Sequence, residues 1–336
     1  YIYMTFSLSI FPELSSVTVL ELSSTATSST LNMNVDISAL INLEIFKSPG
    51  NIGISSLTND LSNNINLKTI NIGNCNIGGI VPDYSNVTTL STILFNDNSY
   101  IGYIPSLSSN TNLKTFNIGR NSLSGSIPDL SNNTALVSII GSDNSLSGSI
   151  PDLSNNTALQ TFNFSTNNIS GSIPSLSANT LIEYIYLNDN NLSGVVPSLS
   201  TNSALIFLNV SGNSLSGSIP SLNNNSNLTD CYLSVNNFTG DIPNLSGTSL
   251  ITFHTPDNSL SGYRGGDITS TLTDFRAPRN DLTESAVNSI LVAFSAAGGI
   301  NGNILLQGGT NASPTGQGIS AKTTLVSDRG WTVTTN

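Results

Sequence analysis

The sequence predicts an α/β-type, mostly β repeat solenoid of about 12 coils, each 22–24 residues long, stacked through one parallel sheet. Three observations predict it. The sixteen residues NSLSGSIPDLSNNTAL at 121–136 return unchanged at 144–159, so Gly125 and Gly148, like Pro128 and Pro151, lie 23 residues apart. Apolar residues recur in phase, first at Leu67, Leu90, Leu113, Leu136, Leu159, Ile182, Leu205, Leu228, Leu250 and Leu272, with weaker units near Val17 and Leu43. Only 9% of the 336 residues are charged, which leaves Asn, Ser and Thr to cover the surface.

Each position in a coil has a physical role. In LKTFNIGRNSLSGSIP, Phe116 and Ile118 alternate as a short strand with one buried face, and Asn121 turns the chain. Gly125 is expected to allow a tight approach, and Pro128 ends the regular hydrogen bonding. The DLSNNTA segment carries the chain back. Stacked strands lie about 4.8 Å apart, so the sheet is expected to run on the order of 50 Å. The turning position is held by Asn98, Asn121, Asn144, Asn167, Asn190, Asn213, Asn236, Asn258 and Asn280, and by Cys75 in the first well-formed coil. These amides are expected to form a structural ladder satisfying backbone groups of adjacent coils.

The pattern LxxLxLxxNxLxGxIP resembles the leucine-rich repeat family, in its plant-type Leu-x-Gly-x-Ile-Pro subclass, over roughly residues 17–282. The resemblance implies a right-handed, curved solenoid whose concave sheet serves recognition rather than chemistry. The organisation expected is an N-terminal strand or cap at 1–16, the solenoid at 17–281, and a C-terminal cap at 282–336. In that cap, Val287, Ile290, Leu291 and Phe294 fall on one helical face ending at Gly298 and Gly299. A strand at NILL, a helix at ISAKTTLVSD and a strand at GWTVT follow, with Trp331 as a plug. Caps of this kind cover an apolar end and an open sheet edge. The wording GGTNASPTGQG to RGWTV resembles the ends of bacteriophage and bacterial surface leucine-rich repeat proteins.

Composition excludes several classes of function. A net charge of −11 opposes binding to phosphate backbones. No apolar run reaches the length of about 18 residues that a membrane helix needs. Cys75 and Cys231 sit in separate coils, beyond disulfide reach. His254 is the single histidine, so no pair of histidines shares a zinc, and no nucleophile with its base is visible. The loop at 308–318 lacks the Lys-Ser/Thr ending of a phosphate-binding loop. Asp97, Asp143 and Asp189, with Asp129 and Asp152, read as solvated turn residues rather than calcium ligands. No enzyme activity, cofactor or metal is expected. Asn-x-Ser/Thr triplets, such as those at Asn132, Asn155, Asn191 and Asn237, decide nothing in so Asn-rich a chain.

The outward positions of each strand carry the functional signal. They are plain in the first half: Thr69/Asn71, Thr92/Leu94, Thr115/Asn117, Ser138/Ile140 and Thr161/Asn163. In the second half they become Tyr184/Tyr186, Phe207/Asn209, Asp230/Tyr232, Thr252/His254 and Asp274/Arg276. Tyr184, Tyr186, Phe207, Asp230, Tyr232, His254, Asp274 and Arg276 are therefore the expected ligand-binding residues, since exposed aromatics anchor binding surfaces. The alternative is that these aromatics only stabilise cross-strand pairing. Arg264, Arg276 and Arg279 in the last coils are expected either to meet an anionic saccharide, to complement nearby Asp residues, or to contact another subunit. The leading expectation is a non-enzymatic, extracellular, cell-surface or virion recognition protein of the adhesin or receptor-binding type, whose partner is a host protein or glycan. The rival expectations are a decoration protein that self-associates or packs on other virion proteins, and an ice-binding protein.

Overall fold

The computed structural model describes residues 2–7, 16–22, 31–57 and 61–336. Two compact units make up the chain, Tyr1–Ile169 and Ser170–Asn336, and each is a mostly β, parallel solenoid. Of the strand expected at the N-terminus, Ile2–Ser7 is present, and residues 8–15 lie outside the described ones.

In the first unit the face sheet is built from parallel strands at Val19–Glu21, Ile45–Lys47, Thr69–Asn71, Thr92–Leu94, Thr115–Asn117, Ser138–Ile140 and Thr161–Asn163. The second unit repeats the arrangement with Tyr184–Tyr186, Phe207–Asn209, Asp230–Tyr232, Thr252–His254, Asp274–Arg276, Asn303–Leu305 and Thr332–Thr334. From Thr69–Asn71 to Asp274–Arg276 every strand buries its middle residue and leaves its flanks half-buried, the alternation of a pleated strand with one face on the core.

A second row of strands was not expected. The Leu-Ser-Gly stretches also pair coil to coil, as Gly78–Ile80, Ser99–Tyr103, Ser122–Ser126 and Ser145–Ser147 in the first unit. In the second unit Asn191–Gly194, Ser214–Gly217, Asn237–Ile242 and Ser259–Tyr263 do the same. The role expected of Gly125 is corrected here: a Cβ added to it would meet only the Tyr103 Cβ, at an ordinary 3.4 Å. Its φ of 80° is what requires glycine, because L side chains are strained in the left-handed region.

The turn asparagines bridge two successive coils. In Asn144 the side-chain Nδ2 donates to the carbonyls of Ile118, Gly141 and Ser142, while Oδ1 accepts the Leu123 N–H at 2.9 Å. Asn213 repeats this with Leu187, Val210, Ser211 and the Leu192 N–H. The two ends of the ladder are Cys75, which holds the turning position as expected, and Asn311, which was not foreseen. At one end the Cys75 thiol donates to the Ser48 carbonyl at 2.8 Å. At the other, Asn311 accepts the Leu282 N–H and donates to Ala277 and Leu306.

A parallel ladder runs along the return segments. Fully buried Asn110, Asn133, Asn202 and Asn225 each donate twice to carbonyls of the preceding coil, as Asn133 does to Leu107 and Asn110. Their Oδ1 atoms have no partner.

After Leu282 the chain forms helix α1 (Glu284–Ala297), the strand Asn303–Leu305, helix α2 (Gly316–Arg329) and the strand Thr332–Thr334. Thr283 caps α1 by accepting the Ala286 N–H. The apolar face Val287, Ile290, Leu291 and Phe294 is buried. Phe275, Phe294 and Trp331 stack edge to face at centroid distances of 5.2 and 5.3 Å, and the Trp331 Nε1–H donates to the Gly299 carbonyl.

Packing compensates across coils. Gly141 stands where Ile118 and Phe164 stand in neighbouring coils, and a Cβ on it would lie 2.5 Å from the Phe164 ring. Gly141→Ala is expected to destabilise by about 1–3 kcal/mol through overpacking, and Gly141→Ala/Phe164→Leu to regain part of that loss, in urea unfolding monitored by circular dichroism. Asn213→Ala is expected to cost about 1–3 kcal/mol in the same assay, because it strands backbone groups of two coils, whereas the exposed Asn132→Ala stays within about 0.5 kcal/mol.

Candidate functional site

The second unit concentrates aromatic and charged side chains on the outward face of its sheet. Ile185, Leu208, Cys231, Phe253 and Phe275 point into the core, which turns the residues on either side of each outward. Strand register sets two columns. Tyr184, Phe207, Asp230, Thr252 and Asp274 form one, and Tyr186, Asn209, Tyr232, His254 and Arg276 the other.

The aromatic rings join in a row, diagonally between the columns from Tyr186 to Tyr232 and then along the second column to His254. Tyr186 stacks on Phe207 at 4.6 Å, Phe207 meets Tyr232 at 5.5 Å, and Tyr232 meets the edge of His254 at 5.1 Å. Each ring of the row is thus partly covered by a neighbour, and all four remain half-buried. Tyr184 lies in the same sheet, outside these ring pairs. Burial raises the hydroxyl pKa of Tyr186 and Tyr232, so both remain protonated donors at neutral pH.

The stack ends in a charged network. The Arg276 Nε and Nη2 donate to the two Asp274 oxygens at 2.9 and 3.0 Å, a bidentate pair that fixes both side chains. His254 Nε2 lies 2.9 Å from Asp274 Oδ2. Burial raises the Asp274 pKa, but the hydrogen bonds from Arg276 and His254 outweigh it and hold the carboxyl below its ordinary value. Burial likewise pushes the His254 imidazole down, against the opposing pull of Asp274. One coil back, the Thr229 hydroxyl donates to Asp230 at 2.8 Å. The structure thus brings Tyr186, Phe207, Tyr232, His254, Asp274 and Arg276 into one contiguous patch, with Asp230 in the intervening strand.

Three other arginines pair with aspartates. Arg264 lies 3.7 Å from Asp241, and Arg279 hydrogen-bonds Asp257. Arg120 lies between Asp97 and Asp143, at 3.3 and 3.9 Å. Asp129 and Asp152 accept from the backbone and hydroxyl of Ser131 and Ser154. No group of three metal-ligating side chains occurs among the described residues. No described helix is long and apolar enough to cross a membrane.

Sequence comparison matches the Leucine Rich Repeat family at residues 66–86, 112–134 and 204–225. These coils are leucine-rich repeats. Comparison with curated proteins gives no match. Among solved structures, the chain is similar to the plant peptide hormone receptor RGFR1 in complex with RGF2, at 26% identity and a TM-score of 0.67 over 88% of this chain and 52% of the receptor. It is similar to the Arabidopsis receptor kinase HAESA in complex with the peptide hormone IDA and the co-receptor SERK1, at 22% identity and a TM-score of 0.64 over 95% and 62%. A plant ice-binding protein aligns at 23% identity and a TM-score of 0.50, over 65% of this chain and 74% of that one. The chain thus spans between half and two thirds of the length of the receptors it matches.

Because His254 is the single histidine, its titration can be followed without assignment. Its midpoint is expected below the ordinary value of about 6.5, and Asp274→Asn is expected to lower it further by removing the opposing charge. A depressed folded-state midpoint means that the unfolded chain binds the proton more readily. The stability contribution is therefore present above about pH 6.5 and is lost as pH falls through the midpoint. Proton NMR of the imidazole from pH 4 to 8 checks it, and a midpoint above the ordinary value contradicts the reading.

Proposed function

We propose that the chain is a non-enzymatic recognition protein acting outside the cell, at a cell surface or on a virion, in the manner of an adhesin or receptor-binding protein. Its ligand is a protein or peptide segment held along the outward face of the second unit. The observation that carries this reading is the preorganised patch from Tyr186 to Arg276, where stacked rings and a bidentate ion pair leave few rotamers to freeze on binding. Ring faces partly covered by neighbouring rings make poor platforms for stacked sugars. Half-buried rings, tyrosine hydroxyls and a partly committed guanidinium suit the mixed polar and apolar surface of a polypeptide. The likeness to a receptor solved with a peptide hormone supports the same ligand class.

The finer assignments follow the repeat wording. Leu-x-Gly-x-Ile-Pro recurs at Leu123–Pro128, Leu146–Pro151 and Leu215–Pro220, which supports assigning these coils to the plant-type subclass. Residues 282–336 act as the C-terminal cap of the solenoid at 17–281, with α1 and Trp331 covering the apolar edge beside Phe275. The cap's wording is the reason for assigning a bacteriophage or bacterial surface as the source.

A displayed random-peptide library selected on the whole chain tests the proposal. Enriched peptides are expected to lose at least about tenfold in affinity for a Tyr186→Ala/Tyr232→Ala/Arg276→Ala variant of matched melting temperature, or about 1.4 kcal/mol. Equal affinity for both proteins would place the ligand elsewhere.

A further inference from the structure

We propose a second binding site, in the first unit, that takes a neutral saccharide. It goes beyond the peptide-binding face: it uses none of those residues and a different ligand chemistry. A groove of about 290 Å³, close to the lower end of ligand pockets at ~300 Å³, runs where the strands Thr92–Leu94, Thr115–Asn117, Ser138–Ile140 and Thr161–Asn163 leave the sheet. Its walls carry Asp97, Asn117, Arg120, Ser142, Asp143 and Asn163.

The repeat frame explains why the groove opens at this point. One position in each coil follows the strand by two residues, and it holds Asn96, Gly119, Ser142 and Ser165 in succession. Gly119 is the smallest of the four. A Cβ on it would meet Ser142 Oγ at 3.2 Å and Asn117 Oδ1 at 3.4 Å, and its φ is not positive. Backbone conformation therefore does not require this glycine; its lack of a side chain leaves the dip.

The donors and acceptors around the dip have fixed directions. Asn117 Oδ1 accepts the Gly119 N–H at 3.0 Å, and Asn163 Oδ1 accepts the Ser165 N–H at 3.1 Å. Each amide is thereby oriented with its oxygen used locally and its Nδ2 left to donate. Arg120 is held between two carboxylates, Asp97 at 3.3 Å and Asp143 at 3.9 Å. That flanking opposes an anionic ligand, because a further negative charge would face two aspartates for one guanidinium. An apolar ligand would strand the polar walls. Alternating carboxylate acceptors and amide donors match hydroxyls that both give and accept hydrogen bonds. Half-buried Ile140 supplies a small apolar floor for the C–H face of a sugar ring.

The test is a titration of the ¹⁵N-labelled whole chain with galactose, mannose, N-acetylglucosamine and their disaccharides, with sialyllactose as the anionic comparison. Saturable shifts of the Asn117 and Asn163 side-chain amides by a neutral sugar, weakened at least tenfold in Gly119→Asn, are expected. Asn is the residue this position already holds in the coil before, at Asn96, so the substitution fills the dip with a tolerated side chain. Arg120→Ala, whose side chain is 71% exposed, removes a wall of the groove without touching the core and is expected to weaken binding as well. The proposal is overturned if no neutral sugar moves these resonances, if sialyllactose binds as well as neutral sugars, or if both variants keep wild-type affinity. Peptide binding by the second unit is unaffected by any of these outcomes.

Discussion

The asparagine ladder is the constraint on which the rest of the structure depends. A coil of 23 residues must turn its backbone through the interior, where an unpaired N–H or C=O is costly. One amide at a fixed place resolves this by donating to carbonyls of its own coil and of the one before, and accepting an N–H from the preceding coil, as Asn144 and Asn213 do. The geometry is the same at each step, so register is transmitted from coil to coil. Where the ladder begins, a thiol donates in place of an amide, and where it ends, Asn311 arrives from beyond α1 to supply the last rung. The return-segment ladder is weaker in one respect: the Oδ1 atoms of Asn110, Asn133, Asn202 and Asn225 go unpaired, so its benefit lies in capping carbonyls.

Once the frame is held by interior amides, the outward positions are free to vary at little cost in stability. The ion pairs on the surface do not change that balance. Arg120 and Arg279 are more than half exposed, and pairs of that kind contribute about 0–1 kcal/mol. What they do is fix direction. Arg276 on Asp274 is the stronger case, because two parallel hydrogen bonds and a third contact from half-buried His254 leave the group one geometry. Stability and recognition are thus carried by different residues of the same coil.

That separation decides what was legible in the sequence. The period placed the face strands, the buried leucines and the amphipathic face of α1, because each rests on spacing alone. The second row of strands was not legible, since Ser and Gly have low strand preference and pair here only because neighbouring coils bring them into line. The return ladder is hidden by composition: Asn133 and Asn202 recur in phase, but among so many asparagines the phase does not stand out. Asn311 breaks the period altogether. In the candidate site the two columns were readable from register, whereas the diagonal joining of Tyr186 to Phe207 and Phe207 to Tyr232 depends on side-chain direction, which spacing does not encode. The dip at Gly119 and the exchange of bulk between Gly141 and Phe164 needed neighbouring coils to be seen together.

The duplicated segment gives an internal control on this division. Residues 121–136 and 144–159 are identical and make the same contacts: Asn121 and Asn144 each donate to three carbonyls, and Asp129 and Asp152 each hold the serine two residues on. Their neighbours differ, since one Asn accepts from Tyr100 and the other from Leu123, yet these side-chain hydrogen bonds are kept, while the second-row strand runs Ser122–Ser126 in one copy and Ser145–Ser147 in the other. The copied letters therefore specify the frame by themselves. The intervening residues, KTFNIGR at 114–120 and VSIIGSD at 137–143, are not copied, and they supply Asn117, Gly119, Arg120, Ile140, Ser142 and Asp143 to the groove. Duplication can lengthen such a protein without disturbing its fold, and substitution in the uncopied stretch can then build a site without disturbing its stability.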